Sequence, residues 1–409
     1  MSNTIYRMKK NVLLAAAMLT ASFGLQAQTV ATADEYLNAL ANGAGDVVIT
    51  IPSGTNIDVT SDAITSIAVN AAVTSITVQG EGNASVLTTK GAYDLSGVAE
   101  LGAFRFKNLK VTRGDENGDY ALTVKTSIKE ILFDGCVLTE SRGVVRVREN
   151  ESIAIGSLTV NNCLVSKIGS YSLLAFEVGK LGTLTLTNNT FFNFSTASQA
   201  KNLVTFKPAA TGETDVRLTN FCMENNTLNK VVLGGTSAAN YVVDFGKVGG
   251  SAVPVAGSFS FQNNLLGEPL SGITKIFSKV PQSTDENYEF YTKKGNFISS
   301  SWQVDTNSDK YFTDNEVKNE APAVAELFKD AANGDFTLAA GQAYSQAGDP
   351  RWRTADDNGI EANVAGKAIV STACFTAAGV EVSAPVKGLN ILRHTLEDGT
   401  VQVEKRYIR

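Results

Sequence analysis

Along most of the chain, apolar and polar positions alternate in short runs, and turns rich in Asn and Gly separate the runs. A period of two is the signature of a half-buried strand. The runs also recur. Phe106-Lys107-Asn108-Leu109, Phe133-Asp134-Gly135-Cys136, Val160-Asn161-Asn162-Cys163 and Thr187-Asn188-Asn189-Thr190 end on residues 27 apart. The pattern continues at 224–227, 262–265 and 294–297 with steps of 37, 38 and 32, as if loops had been inserted. Upstream, the runs at 49–53 and 76–80 fit the 27-residue spacing. Asn and Gly suit the turns because they tolerate left-handed backbone conformations.

A second run follows in each unit, at 122–125, 145–148, 174–177, 204–207 and 243–246. Alternation directs Val124, Val147, Phe176, Phe206 and Phe245 inward and their neighbours outward. Stacked units of this size predict an all-β fold, a parallel β-helix whose coils bury one continuous core. Leucine-rich repeats lack support, because the leucine framework and the helical half-repeat are missing. A β-sandwich would not require a constant step. Thr32-Ala33-Asp34-Glu35 is a capping box that predicts a short helix to about residue 41, placed to cover the open first coil.

The coils resemble the pectate-lyase-like right-handed parallel β-helix. Asn333-Gly334-Asp335-Phe336-Thr337-Leu338 followed by Gly348-Asp349-Pro350-Arg351-Trp352 resembles the end of β-helix domains in surface proteins of Bacteroidota polysaccharide-utilisation systems. The resemblance covers roughly residues 30–353. It implies a secreted or surface protein acting on or near glycans, without an assigned activity.

The ends read differently. Arg7, Lys9 and Lys10 precede a short apolar core, and Leu25-Gln26-Ala27 has the small residue of a signal-peptidase site. Residues 1–27 therefore read as a leader, too short in its apolar part to be a comfortable membrane span. Its removal shifts the net charge from −6 to −9. Residues 28–353 form the β-helix domain, 354–366 a linker and 367–409 a small β module. In that module, runs at 368–375, 380–383, 390–396 and 401–408 predict strands, with a hairpin at Asp398-Gly399. Its Gly379-Val380-Glu381-Val382 and Lys387-Gly388-Leu389-Asn390-Ile391 runs and its basic ending resemble a type IX secretion sorting domain, which implies an outer-membrane secretion machinery as partner. The other reading is a β module that stays attached.

Composition removes several classes of function. The chain has 409 residues, 43% hydrophobic and 19% charged, with 35 Lys and Arg against 41 Asp and Glu. An acidic balance argues against a nucleic-acid partner. The single histidine, His394, lies near the C-terminus, so imidazole catalysis is closed to the coils. Four cysteines, at 136, 163, 222 and 374, are too sparse for a disulfide scaffold. Cys136 and Cys163 read as stacked inward thiols. The polygalacturonase pattern would need a Gly-His-Gly segment and clustered carboxylates, which the coils lack.

The best outward constellation is Lys125, Arg148, Glu177 and Lys207, at equivalent positions and expected to stack about 4.8 Å apart. Arg146 shares the face and Arg142 precedes it. Such a ladder could hold an anionic glycan through Arg–carboxylate contacts, or be a solvated face paired from Arg148 to Glu177 to Lys207. Asp305, Asn307, Asp309 and Glu316 have calcium-loop spacing, but Lys310 replaces the turn Gly, so no metal is implied. No cofactor is implied either. Residues 115–119 read as a turn, and Trp302 with Tyr291 as a possible sugar-stacking platform. The expected function is polysaccharide binding without catalysis by a secreted or surface protein. The alternatives are a lyase acting on a uronate-containing glycan and a structural or adhesin-like protein.

Overall fold

A computed structural model describes residues 26–148, 152–169, 172–195, 201–206, 218–245, 247–248, 251–252, 257–278, 291–292, 295–303, 327–338 and 347–353, then 369–376, 381–382, 386–396 and 401–408. Two compact units divide at Arg353 and Thr354. The first is a parallel β-helix of three sheets.

The first sheet has ten strands, running from Gln26–Thr29 and Gly45–Ile51 through Val73–Gly80, Glu100–Lys107, Ser127–Asp134, Ala154–Asn161 and Lys180–Thr187 to Leu218–Glu224, Phe259–Gln262 and Tyr291–Thr292. The second has nine, from Asn56–Asp58 to Phe297–Ile298. The third has six: Tyr120–Val124, Gly143–Val147, Leu174–Phe176, Val204–Phe206, Asn240–Asp244 and Thr274–Phe277. Every pairing between neighbours in these sheets is parallel, so each strand takes its hydrogen bonds from the coils before and after it.

Alternation sorts the side chains as expected. In the third sheet Leu122, Val145, Leu174, Val204 and Val243 are in register. Val124, Val147, Phe176, Phe206 and Phe245 are buried. Identical residues on successive coils stack: the Phe106 and Phe133 rings are 4.9 Å apart, as are Phe176 and Phe206. Offset stacking adds about 1 kcal/mol per pair to the burial term.

Helix α1, Ala33–Ala41, opens with the expected capping box. Thr32 Oγ1 accepts from the Glu35 backbone N–H, and Glu35 accepts from the Thr32 N–H. The helix buries Tyr36, Ala39 and Leu40. Tyr36 is tied to Tyr93 by a buried hydroxyl–hydroxyl bond of 2.8 Å.

The coil step is less uniform than the turn motifs suggest. Val47 pairs with Ile76, a 29-residue step, and Ser75 with Ala103, a 28-residue step, so the two upstream runs are not 27 apart in register. Two steps of 27 follow, Glu100 with Ser127 and Ile128 with Ile155. The next step is 26: Ala154 pairs with Lys180, and Leu164 with Thr190. Thr190 therefore stacks on Leu164 rather than on Cys163. Relative to the preceding coil, this one is two residues longer before the third-sheet strand and three shorter after it, where Gly179 turns sharply at φ 80°.

That slip puts Asn189 above Cys163, and an internal ladder follows. Left-handed corners at Gly135, Asn162, Asn188, Asn225, Asn263 and Gly295 each precede one rung, and the corner at Asn108 precedes apolar Leu109. The Asn189 Nδ2 donates to Asn226 Oδ1 at 3.0 Å, Asn226 to Asn264 at 3.0 Å, and Asn264 to Asn296 at 3.1 Å. Each amide also donates to the main-chain carbonyl of the penultimate residue of a first-sheet strand: Val160, Leu186, Met223 and Phe261. Cys163 and Cys136 continue the column, their thiols donating to the carbonyls of Phe133 and Phe106. The thiols are free, as expected, and burial pushes that of Cys163 up.

The second unit is described by itself. Ile369–Thr376, Glu381–Val382, Gly388–Leu396 and Val401–Ile408 form an antiparallel sheet with Glu381–Val382 at one edge and Val401–Ile408 at the other. The expected linker and the Asp398-Gly399 turn lie outside the described residues, as does the leader up to residue 25.

Candidate functional site on the third sheet

Thr123, Arg146, Ala175, Thr205 and Asp244 occupy one row on the outer face of the third sheet, each in register with the next. The row runs along the solenoid axis over five coils. Small Ala175 leaves room for the Arg146 side chain to reach diagonally to Glu177 on the next strand. Arg146 Nε donates to Glu177 Oε1 at 2.7 Å, and a second guanidinium nitrogen donates to the same oxygen. The two side chains are 17% and 10% exposed, so this pair is largely taken out of water. The Glu177 partner is thus Arg146, not Arg148. Register geometry explains the difference: the diagonal reach across an alanine is short and enclosed, whereas Arg148 stands exposed at the strand end.

Tyr120 forms one end of the face. The Arg146 guanidinium lies 5.6 Å from its ring centre, within cation–π range. The ring rests on Gly143, where a Cβ would come within 2.2 Å of Tyr120 Cε1, so only glycine fits. Arg142 donates its backbone N–H to Asp119 O at 3.1 Å. Its Nε is buried without a hydrogen-bond partner among the described residues. Farther along, Ser172 and Thr205 hydroxyls are 2.6 Å apart, Asn202 Nδ2 donates to Thr205 Oγ1 at 3.0 Å, and Asn202 Oδ1 accepts from the Tyr241 N–H. Lys201, just before Asn202, is buried with its ammonium on the carbonyls of Gly169 and Ser195, and burial pulls its pKa down to about 8.

Of the sequence candidates, Lys125 and Arg148 are exposed beside the row, Arg146 and Glu177 are joined, and Arg142 flanks Tyr120. Lys207 lies outside the described residues, as does the Asp305–Glu316 loop. Residues 115–119 form a turn, with Asp115 accepting from the Asn117 and Gly118 amides. The sugar-platform expectation fails for Trp302: it is 3% exposed and its indole N–H donates to Gly267 O at 2.9 Å, which makes it core. The Tyr291 side chain lies outside what is described. Tyr120, Ser172, Asn202 and Thr205 were missed because nothing in their local pattern distinguishes them from ordinary strand and turn residues. Among the described residues, no group of three or more His, Cys, Asp or Glu side chains is placed to hold a metal ion.

The Gly-Asp-Pro-Arg-Trp run has a separate role. It crosses the left-handed corners of four coils. Gly348 N–H donates to Asn263 O at 2.7 Å, and Asp349 N–H to Thr227 Oγ1 at 2.9 Å. Asp349, 2% exposed, accepts from Thr190 Oγ1 at 2.8 Å and pairs with Arg351 at 2.9 Å. Arg351 reaches Asn162, Arg353 reaches Asn225, and the Trp352 indole donates to Thr190. Phe336 packs edge-on against Phe192, Phe328 and Trp352, completing a small second core.

Comparison with known proteins gives two partial likenesses. Residues 60–194 match the family model of one domain of unknown function (DUF4957), and residues 221–352 match that of another (DUF5123). No curated protein and no solved structure matches the chain. In the structure the two matched segments are halves of one solenoid: Lys180–Thr187 pairs directly with Leu218–Glu224, and the Gly-Asp-Pro-Arg-Trp clasp of the second segment holds Asn162 and Thr190 of the first.

Proposed function

We propose that this is an exported, surface-associated or secreted protein that binds a polysaccharide without transforming it, along the outer face of its third sheet. The observation that carries this reading is the in-register row from Thr123 to Asp244, which repeats at the coil spacing of about 4.8 Å and therefore suits an extended, repeating ligand. Ser172, Asn202 and Thr205 are bonded to one another and hold the middle of the face rigid, and the exposed cations Lys125 and Arg148 border the row. The enclosed Arg146–Glu177 pair is matched charge for charge, which favours a positioning role over proton transfer. The predicted leader and the likeness of the C-terminal runs to a sorting domain support export.

The test is binding of anionic and neutral polysaccharides by calorimetry at two salt concentrations. Lys125→Ala with Arg148→Ala should weaken an anionic chain about tenfold, equivalent to 1.4 kcal/mol, without changing the melting temperature. Binding should also weaken with salt, since the screening length falls to about 8 Å at physiological ionic strength. Unchanged affinity in the double variant would remove the anionic form of the proposal. No binding to any polysaccharide would remove the function.

A further inference from the structure

The segment that follows the last coils does more than close the second core. Phe328–Asp330 and the 3-10 turn Ala331–Asn333 pass over a corner of the solenoid where Asn193 and Lys230 both adopt left-handed backbone, at φ 48° and 58°. Between them is a cleft of about 430 Å³. That lies within the roughly 300–1,000 Å³ range of small-molecule sites. It shares no lining residue with the third-sheet row.

We propose that this cleft is a second binding site, for a single uncharged sugar ring. Its wall combines apolar surface from Phe328, Ala331 and Ala332 with polar groups of Asn193, Asn229 and Glu268. A sugar ring presents that same combination, an apolar C–H face and a rim of hydroxyls. The charges of the cleft are balanced. Lys230 forms an ion pair with Glu268, and Lys329 lies 3.9 Å from Asp335. Asp330 accepts from the Asn333 backbone N–H at 3.3 Å and from its side-chain amide at 2.8 Å. An anion would have to compete with Glu268 for Lys230, and an apolar ligand would strip water from the ion pair; a hydroxyl can accept from Lys230 and donate to Glu268 together.

The cleft is also preformed. Phe328 is 5% exposed and held edge-on to Phe336 at 5.2 Å, and Asn229 Oδ1 accepts from the Glu268 N–H at 2.9 Å. Those parts of the wall need no ordering on binding; the exposed Lys230 and Lys329 side chains do.

Saturation-transfer NMR of the full chain with the methyl glycosides of glucose, galactose, mannose and N-acetylglucosamine, and with glucuronate, tests the proposal. At least one neutral glycoside should bind with a millimolar Kd, and glucuronate should bind more weakly. Glu268→Gln, which keeps the shape and removes the acceptor charge, should weaken binding about tenfold, or 1.4 kcal/mol. Ala331→Trp, which obstructs the cleft, should abolish it, and equal melting temperatures confirm both variants folded. The Lys125→Ala, Arg148→Ala variant should bind the glycoside normally, which separates this site from the third-sheet row. Absence of neutral-sugar binding, or binding that survives both cleft variants, overturns the proposal.

Discussion

At the scale of single residues, the Asn ladder shows how a turn motif becomes a source of stability. In Asn188-Asn189-Thr190 the first Asn takes the left-handed corner, the second points inward, and the Thr meets the clasp. Asn226 repeats the arrangement. Its Oδ1 accepts from both nitrogens of Asn189, and its Nδ2 reaches the carbonyls of Leu186 and Glu224. Asn226→Ala would leave several buried groups unpaired, each worth about 1–3 kcal/mol. A loss of about 3 kcal/mol or more in denaturant unfolding is expected; a loss below about 1 kcal/mol would mean that water or rearrangement replaces the rung. The two cysteine rungs show that a thiol can serve the same carbonyl column with one donor, which is why the column survives where the Asn-Asn pair gives way to Gly-Cys or Asn-Cys.

At the scale of elements, the 347–353 clasp fixes neighbouring coils by side chains as well as by strand pairing. Its anchor is Asp349, whose carboxyl is raised above the usual range by burial despite the opposing pull of Arg351. Removing the carboxylate takes the acceptor from the Thr190 hydroxyl and the charge partner from Arg351, which keeps only its bonds to Asn162 and the Asn188 carbonyl. Asp349→Ala is expected to cost about 3–5 kcal/mol, the range for breaking a buried pair. Hydrogen exchange should rise first in 327–338 and at the corners of Asn162, Asn188 and Asn225. Equal exchange across all coils would show that strand pairing alone fixes them. The motif is legible in the sequence as an ending, but its work is not, because its partners on the coil corners lie 85 or more residues upstream, 348 to 263 being the nearest.

At the scale of the whole molecule, the proposed export makes a separate prediction for each end of the chain. A leader cut after Ala27 leaves Gln28 and Thr29 paired with Ile49 and Thr50, so the first strand is shortened rather than lost. Mass spectrometry of the exported protein should find Gln28 at the N-terminus and, if the C-terminal unit is a sorting domain, an end before about Ala368. An N-terminus at Met1 rejects the leader; a C-terminus at Arg409 rejects sorting while leaving the leader intact. The two family likenesses, which divide the first unit between residues 194 and 221, do not mark separate bodies, since the first sheet runs through that point.

The sequence by itself determined the parallel coils, the capping helix and the inward set from Val124 to Phe245. Each rests on a local cause: alternation within a strand, a capping box within one turn, a left-handed corner at Asn or Gly. Only the tertiary structure decided that Asn189 succeeds Cys163, that Glu177 pairs with Arg146, that Trp302 is core, and that a cleft opens beside Lys230. The first follows from a coil one residue shorter than its neighbour, a difference split between two loops that no turn motif marks. The others depend on which side chains meet across coils, and that is set by register and by the path of the 327–353 segment rather than by any run of adjacent residues.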